Sequence, residues 1–483
     1  MFWRGVWGYL PAQIVQGVAG FLAIVLFTRL LSPDDFGRYA LAFSVFSLAH
    51  VAVFTWTEAA MARFWAAEDR DQATLKHHFA SLYGAVLALA LPFWMVGALA
   101  LAVWPMDLTM KLAIGAGLAG VPVRCLLIMA QERARAAGDV RQAAATDMAN
   151  TAGALLIGVG FALAGFGGAA PLIGLGLAPL LILPFLLPRE LAWAKGGRCE
   201  PGRLSRYAAY GYPIAASLTL TLVLSSTDRL LLAWFLDEAA VGAYHAAYSI
   251  ANRSLDVLFI WLGAAGTPAL VMALERGGRE RLKAAAAEQG ATFMLVGLPA
   301  AVGVALVARP LSEVLIGEDL RVAVSAVTPW VALSSLLAGL GAYYFRQAFT
   351  LGQKTGRLFG VMAAPALANV LLNLLLIPRF GVMGAAWATA ASFALGLLLS
   401  IVLGRRVLVM PVPWEALIRC GVACLIMAAA VSRVPAIGGA PELILKAGAG
   451  AIVYAVMALT LNAAGVRDVA LRLWSARLKG AFA

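Results

Sequence analysis

The sequence predicts an all-α polytopic membrane protein of about 14 transmembrane helices, built as two pseudo-symmetric six-helix lobes plus a C-terminal helix pair. Three observations predict it. Of the 483 residues, 62% are hydrophobic and only 13% charged, whereas soluble globular chains carry about a quarter charged residues. Apolar runs long enough to cross a bilayer core, about 20 residues for a helix, recur from end to end. Two stretches resemble each other about 210 residues apart, as an internal repeat requires. The composition excludes a soluble multidomain protein, a disordered chain and a disulfide scaffold. A membrane β-barrel is excluded because its strands are about 10 residues long and alternate apolar with polar.

The spans come in order along the chain. They start near residues 6, 36, 79, 110, 144, 171, 207, 243, 288, 322, 357, 380, 415 and 441. The first apolar run, Val6 to Leu31, is too long for a signal-peptide core and lacks a cleavage site, so it reads as the first span. The sixth, Pro171 to Leu187, is short and rich in Gly and Pro. The longest polar loops lie near 63–78, 133–141, 189–206 and 275–289, and none can hold an extramembrane domain.

The net charge is +12. In a soluble protein that would suggest nucleic acid. Here no basic helix interleaves with aromatics, and no nucleic-acid partner is expected. Lysine and arginine are roughly threefold more numerous in the even-numbered loops and termini than in the odd loops, which orients both termini to the cytoplasm of a multi-pass inner-membrane protein. Cys125, Cys199, Cys420 and Cys424 have no zinc spacing, and no metal or cofactor is expected.

The repeat pairs Trp7-Gly-Tyr9 and Gly37-Arg-Tyr39-Ala-Leu-Ala42-Phe-Ser44 with Tyr210-Gly-Tyr212 and Gly242-Ala-Tyr244-His-Ala-Ala247-Tyr-Ser249. A second match pairs Gly165-Phe-Gly167-Gly-Ala-Ala170 with Arg379-Phe-Gly381-Val-Met-Gly384-Ala-Ala386. The expected divisions are an N-terminal lobe over 1–206, a C-terminal lobe over 207–406, and an additional helix pair with a cytoplasmic tail over 407–483. Six spans per half is an even number, so the halves share one orientation and are related by an axis along the membrane normal. Rocker-type transporters have this architecture, with the site between the lobes.

Phe27-Thr-Arg29-Leu-Leu-Ser-Pro33-Asp-Asp-Phe-Gly37-Arg-Tyr39-Ala-Leu-Ala42 resembles the first hairpin of Wzx-type polysaccharide flippases. Asn369-Val-Leu-Leu-Asn373-Leu-Leu-Leu-Ile-Pro378-Arg-Phe-Gly381-Val-Met-Gly384-Ala-Ala-Trp-Ala-Thr389 is similar to their eleventh and twelfth helices, and Asp228-Arg229-Leu-Leu-Leu to their seventh. The resemblance covers most of the chain and implies the MOP superfamily, which also holds lipid II flippases and MATE drug exporters. It implies a polyprenyl-diphosphate-linked oligosaccharide as substrate, the bilayer as its setting, a proton or sodium ion as coupling ion, and a glycan polymerase complex as partner.

Charged residues within spans are the most informative. Each costs about 2.5–3.5 kcal/mol on insertion scales, so an idle one should be rare. Adjacent residues on a helix point about 100° apart, so Asp228 and Arg229 do not satisfy each other. Arg253 and Asp256 lie three apart on the eighth span. Two readings stay open: a static cluster pairing Asp228 with Arg253 and Arg229 with Asp256, or a cavity in which the arginines meet a diphosphate. In the second reading Asp228 or Asp256 handles the coupling ion. Arg124, in Val121-Pro-Val-Arg124-Cys, has no acid at i±3 or i±4 and is expected to face a cavity. Arg29 lies at the outer end of the first span, where it can snorkel to the interface. It completes the candidate cationic set of Arg124, Arg229, Arg253 and Arg29.

Glu58, near the inner end of the second span, is a candidate gate or interfacial carboxylate. Asn369, Asn373 and Asn252 are read as polar contacts between helices. His50, within a span, reads as core packing. Pro122, Pro213, Pro299 and Pro365 kink or break their helices.

The chain is not expected to be an enzyme. It has no GxxxxGK[ST] motif, and Gly352-Gln-Lys-Thr355 lacks the pattern. Asp69-Arg-Asp71 matches only the three-residue DxD of glycosyltransferases, in a charged loop. The largest outer loop, 309–321, is too small for the acceptor site of a glycan polymerase. The competing expectations are a MATE-like ion-coupled exporter, which predicts an acid-dominated cavity, a lipid II flippase, a membrane glycan polymerase, and a scaffold for a glycan-assembly complex.

Overall fold

A computed structural model describes residues 2–69, 71–352, 354–468 and 471. The described residues are predominantly helical, and no strand occurs among them. They form two compact units, Met1–Gly242 and Ala243–Ala483.

The first unit contains α1 (Phe2–Leu30), α2 (Pro33–Val53), α3 (Thr55–Glu68), α4 (Gln72–Val103), α5 (Leu108–Ala136), α6 (Val140–Leu163), α7 (Ala170–Ala194) and α8 (Pro201–Phe235). Polar caps start three of these helices where apolar runs begin. Ser32 Oγ accepts from Asp35 N–H, with Pro33 at the first helical position and Asp34 and Asp35 in the first turn. Each of these suits a helix N-terminus. Asp107 and Asp139 cap α5 and α6 in the same way.

Helix α7 packs on α6 and α5, α1 on α6, and α2 on α5. Helix α8 packs on α3, α2 and α4. By packing, then, the helix expected to open the second lobe belongs to the first unit. Small residues allow the closest crossings. A Cβ on Gly120 would come within 2.6 Å of the Gly176 Cα where α5 meets α7.

The second unit contains α9 (Glu238–Leu306), whose first turn lies in the first unit, α10 (Ala308–Leu315), α11 (Arg321–Leu340), α12 (Gln347–Leu351), α13 (Thr355–Gly404), α14 (Trp414–Ser432) and α15 (Gly439–Thr460). A π-helical turn over Gly341–Phe345 joins α11 to α12. Helices α9 and α13 each turn back on themselves. Gly278 (φ 62°) and Gly381 (φ 58°) sit in the left-handed region at the reversals. The arms then run side by side: Gln289 lies against Gly266, and Pro365 against Gly396. Only glycine adopts such a φ without a Cβ penalty.

Eleven stretches of the described residues are helices long and apolar enough to cross a membrane, against the expected fourteen. Two of the eleven, Glu238–Leu306 and Gly360–Gly404, contain these reversals. Helix α8 is not among them. It carries Arg203 and Arg206 near its start and Asp228 and Arg229 near its end, which lowers its apolar character. The second expected span is divided at Phe54 (φ −115°, ψ −25°) into α2 and α3.

The glycines of the two sequence matches sit at turns and close approaches. Gly167 (φ 50°) and Gly381 (φ 58°), aligned by the second sequence match, both take the left-handed turn. The glycines of the first match also meet within the first unit. A Cβ on Gly242 would lie 3.0 Å from Pro33 O and 3.1 Å from Gly37 N, and one on Gly37 would collide with Glu238 O.

Candidate functional site

In the first unit, polar residues gather where the second expected span breaks. The last turn of α2 carries His50, the chain turns at Phe54, and Glu58 follows one turn into α3. The break brings His50 Nε2 within 2.9 Å of Glu58 Oε1, and both side chains are buried. Thr57 Oγ1 donates to Phe54 O (2.7 Å) and lies 3.5 Å from Cys125 Sγ on α5. Cys125 precedes Met129 and follows Val121 on the buried face of α5.

Arg124, next to it, is half-buried. Its guanidinium lies 5.6 Å from the Phe46 ring centroid. Among the described residues it makes no ion pair, and Glu58 on α3 and Asp147 on α6 act on it electrostatically. Glu58, read from sequence as a gate or an interfacial carboxylate, is a buried partner of His50. His50, read as core packing, is the residue whose role the sequence understated. The signal was its eight-residue spacing from Glu58, which an unbroken helix would put two turns apart. Only the kink at Phe54 brings them together.

Asp228 is buried and Arg229 half-buried near the end of α8, and both engage partners. Arg29 is exposed in the last turn of α1. Asp228 and Arg229 belong to the first unit; Arg253 and Asp256 belong to the second.

In the second unit Arg253 is exposed and Asp256 half-buried on α9. Asp256 acts electrostatically on Tyr343 in the π-helical turn, and Tyr343 in turn on Arg346. Single π turns recur at functional positions in helices. Arg346 is half-buried and makes no ion pair among the described residues. The π turn continues the helix of α11 past its apolar run, and Arg346 lies just beyond it. Asn252 Oδ1 accepts from Ser335 Oγ (3.2 Å). Asn373 Nδ2 donates to Asn369 Oδ1 (3.0 Å), Asn369 Nδ2 donates to Thr389 Oγ1 (3.4 Å), and Thr389 Oγ1 lies 3.0 Å from the Tyr244 hydroxyl. These amides join both arms of α13 to the start of α9. Asp69 and Asp71 are exposed.

Two ionic clusters outside these sites hold helices together. Arg203 Nη1 and Arg206 Nη2 of α8 reach Glu68 at the end of α3 at 2.6 and 2.7 Å, beside the His78–Tyr207 contact of 2.5 Å. Burial pushes the Glu68 carboxyl up, but the hydrogen bonds and charges of Arg203, with Arg206, pull harder and leave it below the usual carboxylate range. Arg133 on α5 pairs with the fully buried Glu190 on α7 (2.7 Å), which also accepts from the Tyr83 hydroxyl on α4 (3.1 Å).

Residues 26–325 match a family model described as polysaccharide biosynthesis protein. The fold matches that of a lipid II flippase, MurJ, in an inward closed conformation, with a TM-score of 0.77 at 13% identity, over 95% of this chain and 99% of that one. It also matches a multidrug resistance MATE family transporter of the MOP superfamily. The inward-facing form gives a TM-score of 0.62 at 14% identity over 81% of this chain and 94% of that one. The outward-facing form gives 0.54 at 14% identity over 83% and 94%. No curated protein matches the chain by sequence.

Proposed function

Because the chain belongs to the polysaccharide biosynthesis protein family, we propose that it is a flippase that moves a polyprenyl-diphosphate-linked oligosaccharide from the cytoplasmic to the outer leaflet for surface polysaccharide assembly. The observation that carries this reading is Arg124. It is a half-buried arginine in a membrane helix, without an ion pair among the described residues. A guanidinium in that state presents donors to an anion, and phosphate oxygens match its planar fork. Arg229 and Arg253 extend the cationic set, and Arg29 serves the outer end.

Transport proceeds by alternating access of the lobes 1–206 and 207–406, with both termini in the cytoplasm and the pair within 407–483 outside the repeat. The lipid tail stays in the bilayer while the anionic headgroup crosses a polar path. The His50–Glu58 pair, Asp228 and Asp256 are the groups able to hold a coupling proton or sodium ion.

The test is a deletion strain. Membrane lipids are extracted and polyprenyl-diphosphate glycans quantified, together with finished surface polysaccharide. Accumulation of complete, unpolymerised lipid-linked units with loss of polymer is the expected result. Unchanged lipid-linked glycans with new drug sensitivity would overturn it in favour of an exporter.

A further inference from the structure

We infer that one end of the second unit holds a cleft that binds the phosphate headgroup of an anionic lipid. The cleft has a volume of about 410 Å³. It forms where three segments distant in sequence meet: the reversal of α9, the connection from α12 to α13, and the residues after α13. Gly352 makes the meeting possible, since a Cβ there would collide with the Val407 side chain. Arg279, Lys354, Arg357 and Arg406 line the cleft together with Leu274 and Leu351, and no carboxylate is among the lining residues.

At three other places in the chain arginines meet carboxylates. Arg133 has Glu190, Arg203 has Glu68, and Arg309 has Glu442. The four cleft cations make no ion pair among the described residues. Four like charges drawn into one concavity repel one another unless an anion joins them. The rule that keeps basic loops on the cytoplasmic side requires only that such residues be on that side, spread in water. It does not account for their convergence on a cleft. A phosphate supplies the missing charge, and arginine forks accept its oxygens bidentately. Leu274 and Leu351 offer an apolar wall to the carbon chain that a lipid headgroup brings with it and a free phosphate lacks.

The three segments are even-numbered loops, so the leaflet is cytoplasmic if the proposed orientation holds. Two lipids share the recognised chemistry: bulk anionic phospholipid and the diphosphate of a polyprenyl carrier. Only the second occupant rests on the flippase reading.

The full chain, purified in detergent, is titrated with phosphatidylglycerol, phosphatidylcholine and a polyprenyl diphosphate, and bound lipid is counted by native mass spectrometry. The double variant R357A/R406A should weaken both anionic lipids roughly thirtyfold and leave phosphatidylcholine unchanged. R357K/R406K should keep most of the binding, because the charge is retained while the fork is lost. R433A, which removes an exposed arginine outside the cleft, should match the unaltered protein. If the double variant does not purify, the single Arg406→Gln substitution carries the same comparison, with roughly a fivefold loss.

Tighter binding of polyprenyl diphosphate than of phosphatidylglycerol assigns the cleft to the carrier, and equal binding assigns it to bulk lipid. Equal losses for phosphatidylcholine, an equal loss in R433A, or no loss in any variant would overturn the proposal. Each of these results is read independently of the deletion strain, so failure here leaves the transport reading where its own assay puts it.

Discussion

An arginine within a membrane helix costs about 2.5–3.5 kcal/mol on insertion scales. Arg124 recovers part of that cost from the Phe46 ring and from the charges of Glu58 and Asp147. If its donors serve a phosphate in transit, Arg124→Ala should lower glycan export roughly 10- to 100-fold, the worth of a charge-assisted hydrogen bond of about 1.5–3 kcal/mol, while the protein inserts at normal levels. Arg124→Lys should restore part of it. Export at the unaltered rate in both variants would remove Arg124 from the transport path. Glu58→Gln and His50→Gln should each lower export if the pair takes part in coupling, and export at the unaltered rate in both would count against that role.

At the scale of the elements, the reversals and latches set the predictions. Gly381→Val forces a β-branched residue into the left-handed region and should cost about 1–2 kcal/mol, read as a lowered unfolding midpoint in detergent. Gly360→Ala, where a Cβ would meet nothing within 4 Å, should be neutral or slightly stabilising. The latch between α3 and α8 depends on pH. The Glu68 carboxyl lies below its ordinary value in the folded chain, so folding favours the ionised form. Its contribution is complete above the ordinary carboxylate pKa of about 4.3 and is lost as the pH falls through the depressed value. Thermal unfolding at pH 3.5 and pH 6 should therefore differ less in Glu68→Gln than in the unaltered protein. Arg203→Ala, which leaves a buried carboxylate with one partner fewer, should cost about 3 kcal/mol; no change would mean that Arg206 alone satisfies Glu68.

For the whole molecule, the charge distribution and the cysteines give a test of sidedness. Cys199 is exposed in the connection between α7 and α8, while Cys125, Cys420 and Cys424 are buried. A membrane-impermeant maleimide should label Cys199 in inverted vesicles and not in intact cells. Labelling in intact cells would reverse the orientation, and with it the leaflet assigned to the basic cleft. The first packed unit runs to Gly242, beyond the 206 at which the sequence match would end its first copy, because α8 lies on α3, α2 and α4. A repeat records ancestry in the sequence, and packing records which surfaces a helix covers, so the two need not end at the same residue.

Sequence alone determined the class of the molecule and the course of most helices, and it marked Gly167 and Gly381, both of which take a positive φ. Those features rest on local apolar length and local backbone geometry, which composition and spacing report directly. It also singled out Arg124 and Asp256 as costly charges. What it left undecided depends on chain segments brought together by folding. Phe54 bends the second span and joins His50 to Glu58. The π turn places Tyr343 within electrostatic reach of Asp256 and of Arg346. Glu68 and Glu190 find their arginines across 135 and 57 positions of chain, respectively, and the four cations of the basic cleft arrive from three separate loops. A charged residue is visible in a sequence, but its partner is chosen by packing, and only the tertiary structure contains that choice.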